Sequence, residues 1–156
     1  FLPQVYFQNI HEGKKIRKDT IRFSHKEGKA YWESALSGQK KEIIIGDDTR
    51  DVLTLVYKMR VEGMTPDEEK NFMVLVDNKL YDLKIKGISS EKLNSKLIRK
   101  PKCIKIEPIA KFGEVFVRKG RIHLWFLEDE RRWCMKVLFY LKIANFSAEL
   151  ESVVEL

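Results

Sequence analysis

"RIHLWFLEDERRWCMKVLFYLK", residues 121–142, decides the fold. Two Trp, two Phe, a Tyr and a Cys crowd into it, yet it breaks midway into five consecutive charges, Glu128 to Arg132. Read with a period of two, Trp133, Met135, Val137, Phe139, Leu141 and Ile143 make one apolar face. Arg132, Cys134, Lys136, Tyr140 and Lys142 lie opposite, and only Leu138 breaks that polar face. Ile122, Leu124 and Phe126 align in the same way before the charges. The charged run is therefore the turn of a long antiparallel hairpin whose aromatics are mostly an inner sheet face.

The same period spreads outward from this hairpin. In "CIKIEPI", Ile104 and Ile106 face one way, with Cys103, Lys105 and Glu107 on a wetter face. "ANFSAELESVV" places Phe146, Ala148 and Leu150 together. Earlier, "FMVLVDN" and "LYDLKIKGI" read as strands joined across Asp77, Asn78 and Lys79. "VYFQNI", "KDTIRFSH", "KAYWESA" and "KEIII" are short strands cut by Gly turns, and "FGEV" is a further turn. "SSEKLNSKLIRKPK" admits a short helix or an edge strand, with Pro101 limiting either.

One stretch breaks the pattern. In "GDDTRDVLTLVYKMRVEG", Asp48 or Thr49 serves as a helix cap, and Val52, Val56 and Met59 recur at helical spacing. Leu53 and Leu55 widen the apolar side, and Gly63 ends the run. The expected fold is mainly β: an antiparallel meander forming an open or half-closed barrel around one helix, at about residues 49–61.

A length of 156 residues suits one domain, 1–156. A hydrophobic content of 44% with 34% charge supplies a core and a solvated surface, which argues against disorder. The net charge of +7 invites acidic partners, but its clusters ("EGKKIRK", "GQKKE", "IRKPKCIK", "VRKGR") are scattered among acids and read as solvated surface. No apolar run approaches the roughly 20 residues of a membrane-spanning helix. Cys103 and Cys134 are too few for a disulfide scaffold and read as free thiols. His11, His25 and His123 stand singly, so neither a metal site nor a cofactor is expected. Hydrolase, phosphate-loop and dinucleotide motifs are absent from the sequence, which points away from an enzyme.

"RDVLTLVYKMR" resembles an Asp-x-Leu-Ser-x-x-Tyr-x-x-Arg helix. "IHLWFLEDERRWCMKVLFYLKIANFSAELESV" resembles an Ile-Trp-x-x-Asp-x-x-Arg-x-Pro hairpin followed by a Gly-Ser-x-x-Ala-x-Leu strand. Both belong to the exported bacterial family known as domain of unknown function 3108. The matching positions are Asp51, Leu53, Tyr57, Arg60, Trp125, Asp129, Arg132, Ala148 and Leu150, with the resemblance covering about residues 15–153. Thr54, Cys134 and Asn145-Phe146-Ser147 depart from the pattern at Ser, Pro and Gly-Ser. The resemblance implies a periplasmic or envelope-associated protein with no known catalytic residues. It also implies that this chain is the later part of a longer exported domain, lacking its first strands and leaving a sheet edge. The free thiols count slightly against export. The helix-plugged shape is similar to half-barrel carriers of lipids and lipoproteins, an analogy of architecture only.

Three functional readings follow. The first is a non-enzymatic protein holding an apolar or lipid-like ligand, or a lipoprotein, between sheet and helix. Its expected lining is Leu53, Val56, Tyr57, Trp125, Met135, Val137, Phe139 and Phe146, with the methionines Met59, Met64, Met73 and Met135 as an adaptable part of it. The second is an envelope scaffold whose exposed edge adds to a partner's sheet or to a homodimer, with Arg60 pairing with Asp129 as a structural tie. The third, nucleic-acid binding through Arg121, His123 and Trp125, is weakened by strand parity, which turns Trp133 and Phe139 away from Lys136 and Lys142.

Overall fold

The computed structural model describes residues 1–110, 120–141 and 144–154. The expected extension of the hairpin face to Ile143, with Lys142 opposite, lies outside them, as do the "FGEV" turn and Arg118 and Lys119 of the "VRKGR" cluster. The chain gathers into two compact units: residues 1–56 with 72–81, and residues 57–71 with 82–156.

The first unit holds β1 (Val5–Glu12), β2 (Lys15–Ser24), β3 (Lys29–Ser34) and β4 (Lys40–Ile44), ordered β1-β2-β3-β4. All three pairings are antiparallel. Alternation sorts one face into a core of Ile21, Ala30, Trp32, Ile43, Ile45 and Leu75, with Tyr6, Phe23 and Leu80 against it. At its margin the buried Gln8 and Asp19 are paired with each other. Gln8 donates to Asp19 at 3.1 Å and to Asp77 at 3.0 Å, and Arg17 reaches Asp77 at 2.7 Å.

The six-stranded sheet has the order β10-β9-β8-β7-β6-β5. Its strands are β5 (Glu69–Val76), β6 (Lys79–Lys92), β7 (Lys102–Ala110), β8 (Arg121–Leu127), β9 (Cys134–Tyr140) and β10 (Asn145–Glu149). Among the described residues the fold is thus mainly β, with two antiparallel sheets and one α-helix. Among these residues neither sheet closes into a barrel, in keeping with the expected open form. The ambiguous stretch resolves as the end of β6, followed by irregular chain from Leu93 to Pro101.

The helix α1 (Val52–Glu62) begins later than expected because its cap is Asp51, not Asp48 or Thr49. Asp51 Oδ1 accepts the Thr54 N–H at 2.7 Å, and Thr54 Oγ1 accepts the Asp51 N–H at 3.2 Å. This reciprocal cap satisfies donors that the helix leaves orphaned, and it explains why an acid and a hydroxyl sit three residues apart. Thr49 instead accepts the Gly46 N–H at 3.0 Å. Asp51→Ala is expected to lower stability by about 1–2 kcal/mol, read by urea unfolding. A loss below about 0.3 kcal/mol would show the cap to be idle.

The buried stripe also differs from the expected one. Leu55 and Met59, four residues apart, are buried, while Val52 and Leu53 are exposed. Gly63 closes the helix with φ 69°, donating its N–H to the Met59 carbonyl at 2.9 Å.

Candidate functional site

Within the second unit, β7 and β8 lay down an apolar floor. Register sets Ile104 opposite Phe126 and Ile106 opposite Leu124, so these side chains share one sheet face. Met59, from the last turns of α1, and Met64, Thr65 and Pro66, from the loop that follows, stand over the floor. The cleft between them has a volume of about 490 Å³, within the range of small-molecule sites. Met59, Ile104, Ile106, Phe126 and Leu127 are all buried, so the apolar layer lies beneath the rim.

The rim is charged: Glu62, Glu68, Lys70, Lys102, Glu128 and Arg132. Lys70 Nζ lies 3.5 Å from Glu62 and 3.4 Å from Glu68, and donates to the Gly63 carbonyl at 2.9 Å. Lys102 pairs with Glu128 at 2.7 Å, and Lys58 with Glu62 at 2.9 Å. Each rim carboxyl is held below its usual range: Glu62 chiefly by Lys58, Glu68 by the Thr65 backbone N–H, and Glu128 by the Lys102 ammonium. The rim is therefore ionised and mostly self-compensated at neutral pH. Exposed pairs of this kind add little stability.

Two arginines tie the end of the helix to the hairpin turn. Arg132, in a left-handed conformation with φ 44°, donates Nη1–H to the Val61 carbonyl, at the negative end of the helix dipole. The Nε–H of Arg60 donates to the Arg131 carbonyl at 3.0 Å. The expected Arg60–Asp129 pair does not form. Asp129 is taken by Arg131 at 2.5 Å, which leaves Arg60 the backbone of the same turn.

Eight residues were expected to line a site, and none of them lines this cleft. Leu53 and Tyr57 project from α1 into solvent, and Val56 is half-buried. Trp125 and Met135 are buried elsewhere, packing with Cys103 and Leu127 beneath Leu93, Leu97, Ile98 and Leu150. Met135 departs from the expected parity because Trp125 pairs with Lys136 and Phe126 with Cys134, leaving Met135 as a bulge residue. Val137, Phe139 and Phe146 do share the floor's face, but beyond the cleft. Leu124 opposes Val137, and Phe139 opposes both Ile122 and Phe146.

The residues that form the cleft were partly legible. Of the four methionines expected to adapt to a ligand, Met59 and Met64 line the cleft while Met73 is exposed and Met135 packs elsewhere, and the Ile104/Ile106 face was read correctly. Lys70, Lys102 and Glu128 carried no periodic signal. Cys103, expected on a wet face, is fully buried because the irregular chain after β6 covers it. Trp125 is no stacking platform either. Its indole N–H donates to Glu91, and Lys105 Nζ sits 5.2 Å from the ring centre.

Among the described residues no group of three or more His, Cys, Asp or Glu could hold a metal, and no helix is long and apolar enough to cross a membrane. Residues 1–151 match the family model described as a protein of unknown function, DUF3108. No curated protein and no solved structure matches the chain.

Proposed function

The chain belongs to the DUF3108 family, and we propose that it is a non-enzymatic, extracytoplasmic protein that holds an amphiphilic, lipid-like ligand in the cleft of its second unit. The observation that carries this reading is the layering of the cleft: Ile104, Ile106 and Phe126 below, two methionines over them, and an ionised rim around the opening. Such a site desolvates an apolar group while leaving a polar one wet. Methionine suits a lining that must adapt to its occupant. The depressed carboxyls of Glu62, Glu68 and Glu128 favour binding over acid-base chemistry, which wants groups poised near neutrality.

A second reading draws on β1, the edge of the four-stranded sheet. Val5 and Phe7 are exposed on it, and "VYFQNIHE" contains neither the lysine nor the proline that commonly guards such an edge. That strand suits an envelope scaffold that pairs with a partner or with a second copy.

One experiment separates the two. The full-length protein, purified from a bacterial envelope fraction, is compared in native and denaturing mass spectra. A lipid-sized adduct that leaves on unfolding is expected, with occupancy reduced about tenfold or more by Met64→Asp, which places a charge over the floor. A clean apo spectrum with dimers would move the assignment to the β1 edge.

A further inference from the structure

We infer that the ligand is a long single-chain amphiphile with an anionic head, the head at Arg132 and the tail laid along β8, β9 and β10. This rests on the cleft reading above and adds the ligand's class and direction.

The apolar layer does not stop at the cleft. Ile106 opposes Leu124, Leu124 opposes Val137, and Val137 opposes Ala148. In the next row Ile122, Phe139 and Phe146 stand side by side. Along this continuous face exposure climbs from 2% at Ile106 to 38% at Phe139 and 58% at Phe146. The face that α1 and its loop cover at one end thus runs out uncovered at the other, among the described residues. Four residues of strand separate Phe126 from Ile122, about 13 Å. A narrow strip of that length, continuous with the cleft, fits an extended hydrocarbon chain better than a compact ring system. Leaving such a strip in water is unfavourable in proportion to its area.

The rim sets the sign of the head. Lys70 and Lys102 are matched by Glu62, Glu68 and Glu128, whereas Arg132 makes no ion pair among the described residues. One of its five N–H donors is spent on the Val61 carbonyl, which leaves the rest of a planar fork suited to a carboxylate or phosphate. The chain's charge of +7 favours the same sign. Arg132 lies just before β9 and Phe139 near that strand's far end, so head and tail align with the strands.

The test titrates the full chain with octanoate, laurate and palmitate below their micelle concentrations, using calorimetry and native mass spectrometry. Affinity is expected to rise about fourfold per added methylene until the strip is filled. Phe139→Ser and Phe146→Ser should each weaken palmitate about tenfold and leave octanoate unchanged. Phe146 sits on an exposed edge strand, so its variant remains informative if the other fails to fold. Palmitate should bind about tenfold or more tightly than hexadecyltrimethylammonium, which has the same tail and a cationic head. Lysophosphatidate run beside palmitate tells a phosphate head from a carboxylate, and tight binding of either supports the assignment. Octanoate and palmitate binding alike, or phenylalanine variants that bind as wild type, would overturn the tail path while leaving the cleft reading intact. Equal affinity for the two head charges would overturn the head assignment, and failure of every amphiphile to bind would overturn the proposed function as well.

Discussion

Replacing Gly87 with alanine is expected to destabilise the protein by about 2–5 kcal/mol and to abolish amphiphile binding. Gly87 lies on β6 where the loop after α1 crosses the sheet. Its N–H donates to the Glu68 carbonyl at 2.8 Å, and its carbonyl accepts the Asp67 N–H at 3.1 Å. A β-carbon built there would stand 2.0 Å from the Thr65 carbonyl oxygen and 3.4 Å from the Pro66 Cα. Those neighbours are backbone, so no side-chain rotation relieves the clash. The loop must lift, breaking two hydrogen bonds, and Thr65, Pro66 and Glu68 are cleft residues. The loss of stability and the loss of binding therefore have one cause. Urea unfolding with the same palmitate titration reads both, and a variant within about 0.5 kcal/mol of wild type that still bound palmitate would show that the loop does not rest on β6.

Much of the fold was legible because strand periodicity survives wherever one sheet face is dry and the other wet. The hairpin through Glu128–Arg132, the face of Ile104 and Ile106, and the helix near residue 52 all follow from that contrast. What failed did so where tertiary structure erased it. The bulge at Met135 inverted the parity ahead of it, so that Trp133 as well as Met135 packs with Trp125 and Cys134 pairs with Phe126, a slip that no residue type announces. Leu93, Leu97 and Ile98 cover the face that should have been wet, so Cys103 and Trp125 are buried although Lys105 and Glu107 alternate with Cys103 on that face. The cleft was harder still to read. Its floor belongs to the period of two, but Lys70, Lys102 and the hairpin-turn pair Glu128 and Arg132 meet at its rim from three separated stretches. Isolated charges carry no phase from which their convergence could be read. Asp51, matched first as part of a motif, and Thr54, which stands in that motif's Ser position, have a local explanation: they cap a helix.

Raising the pH from 9 to about 11 is expected to remove about 2–3 kcal/mol of stability through Cys103, with a loss of similar size through Cys134. Burial pushes the Cys103 thiol from 9.0 up to about 11, helped by the nearby carboxylates of Glu128 and Asp129. Burial raises Cys134 to about 11 as well, against a hydrogen bond with the Lys136 backbone. Below pH 9 both thiols keep their protons whether the chain is folded or not, and the full contribution is present. Between 9 and 11 the unfolded chain releases protons that the folded chain retains, so stability falls as pH rises. Beyond about 11 both states are ionised and the loss is complete. Tyr6, raised first by burial and then by Asp51 and Asp77, adds a further loss of the same sign above its ordinary value of 10.0. The cysteine share is isolated by unfolding wild type and a Cys103→Ala/Cys134→Ala variant at steps across that window. The variant begins less stable, because two packed sulfurs are gone, and declines more gently. Parallel decline of the two proteins would mean that the thiols ionise as readily in the fold as outside it, and that Cys103 is not sealed beneath Leu93, Leu97 and Ile98.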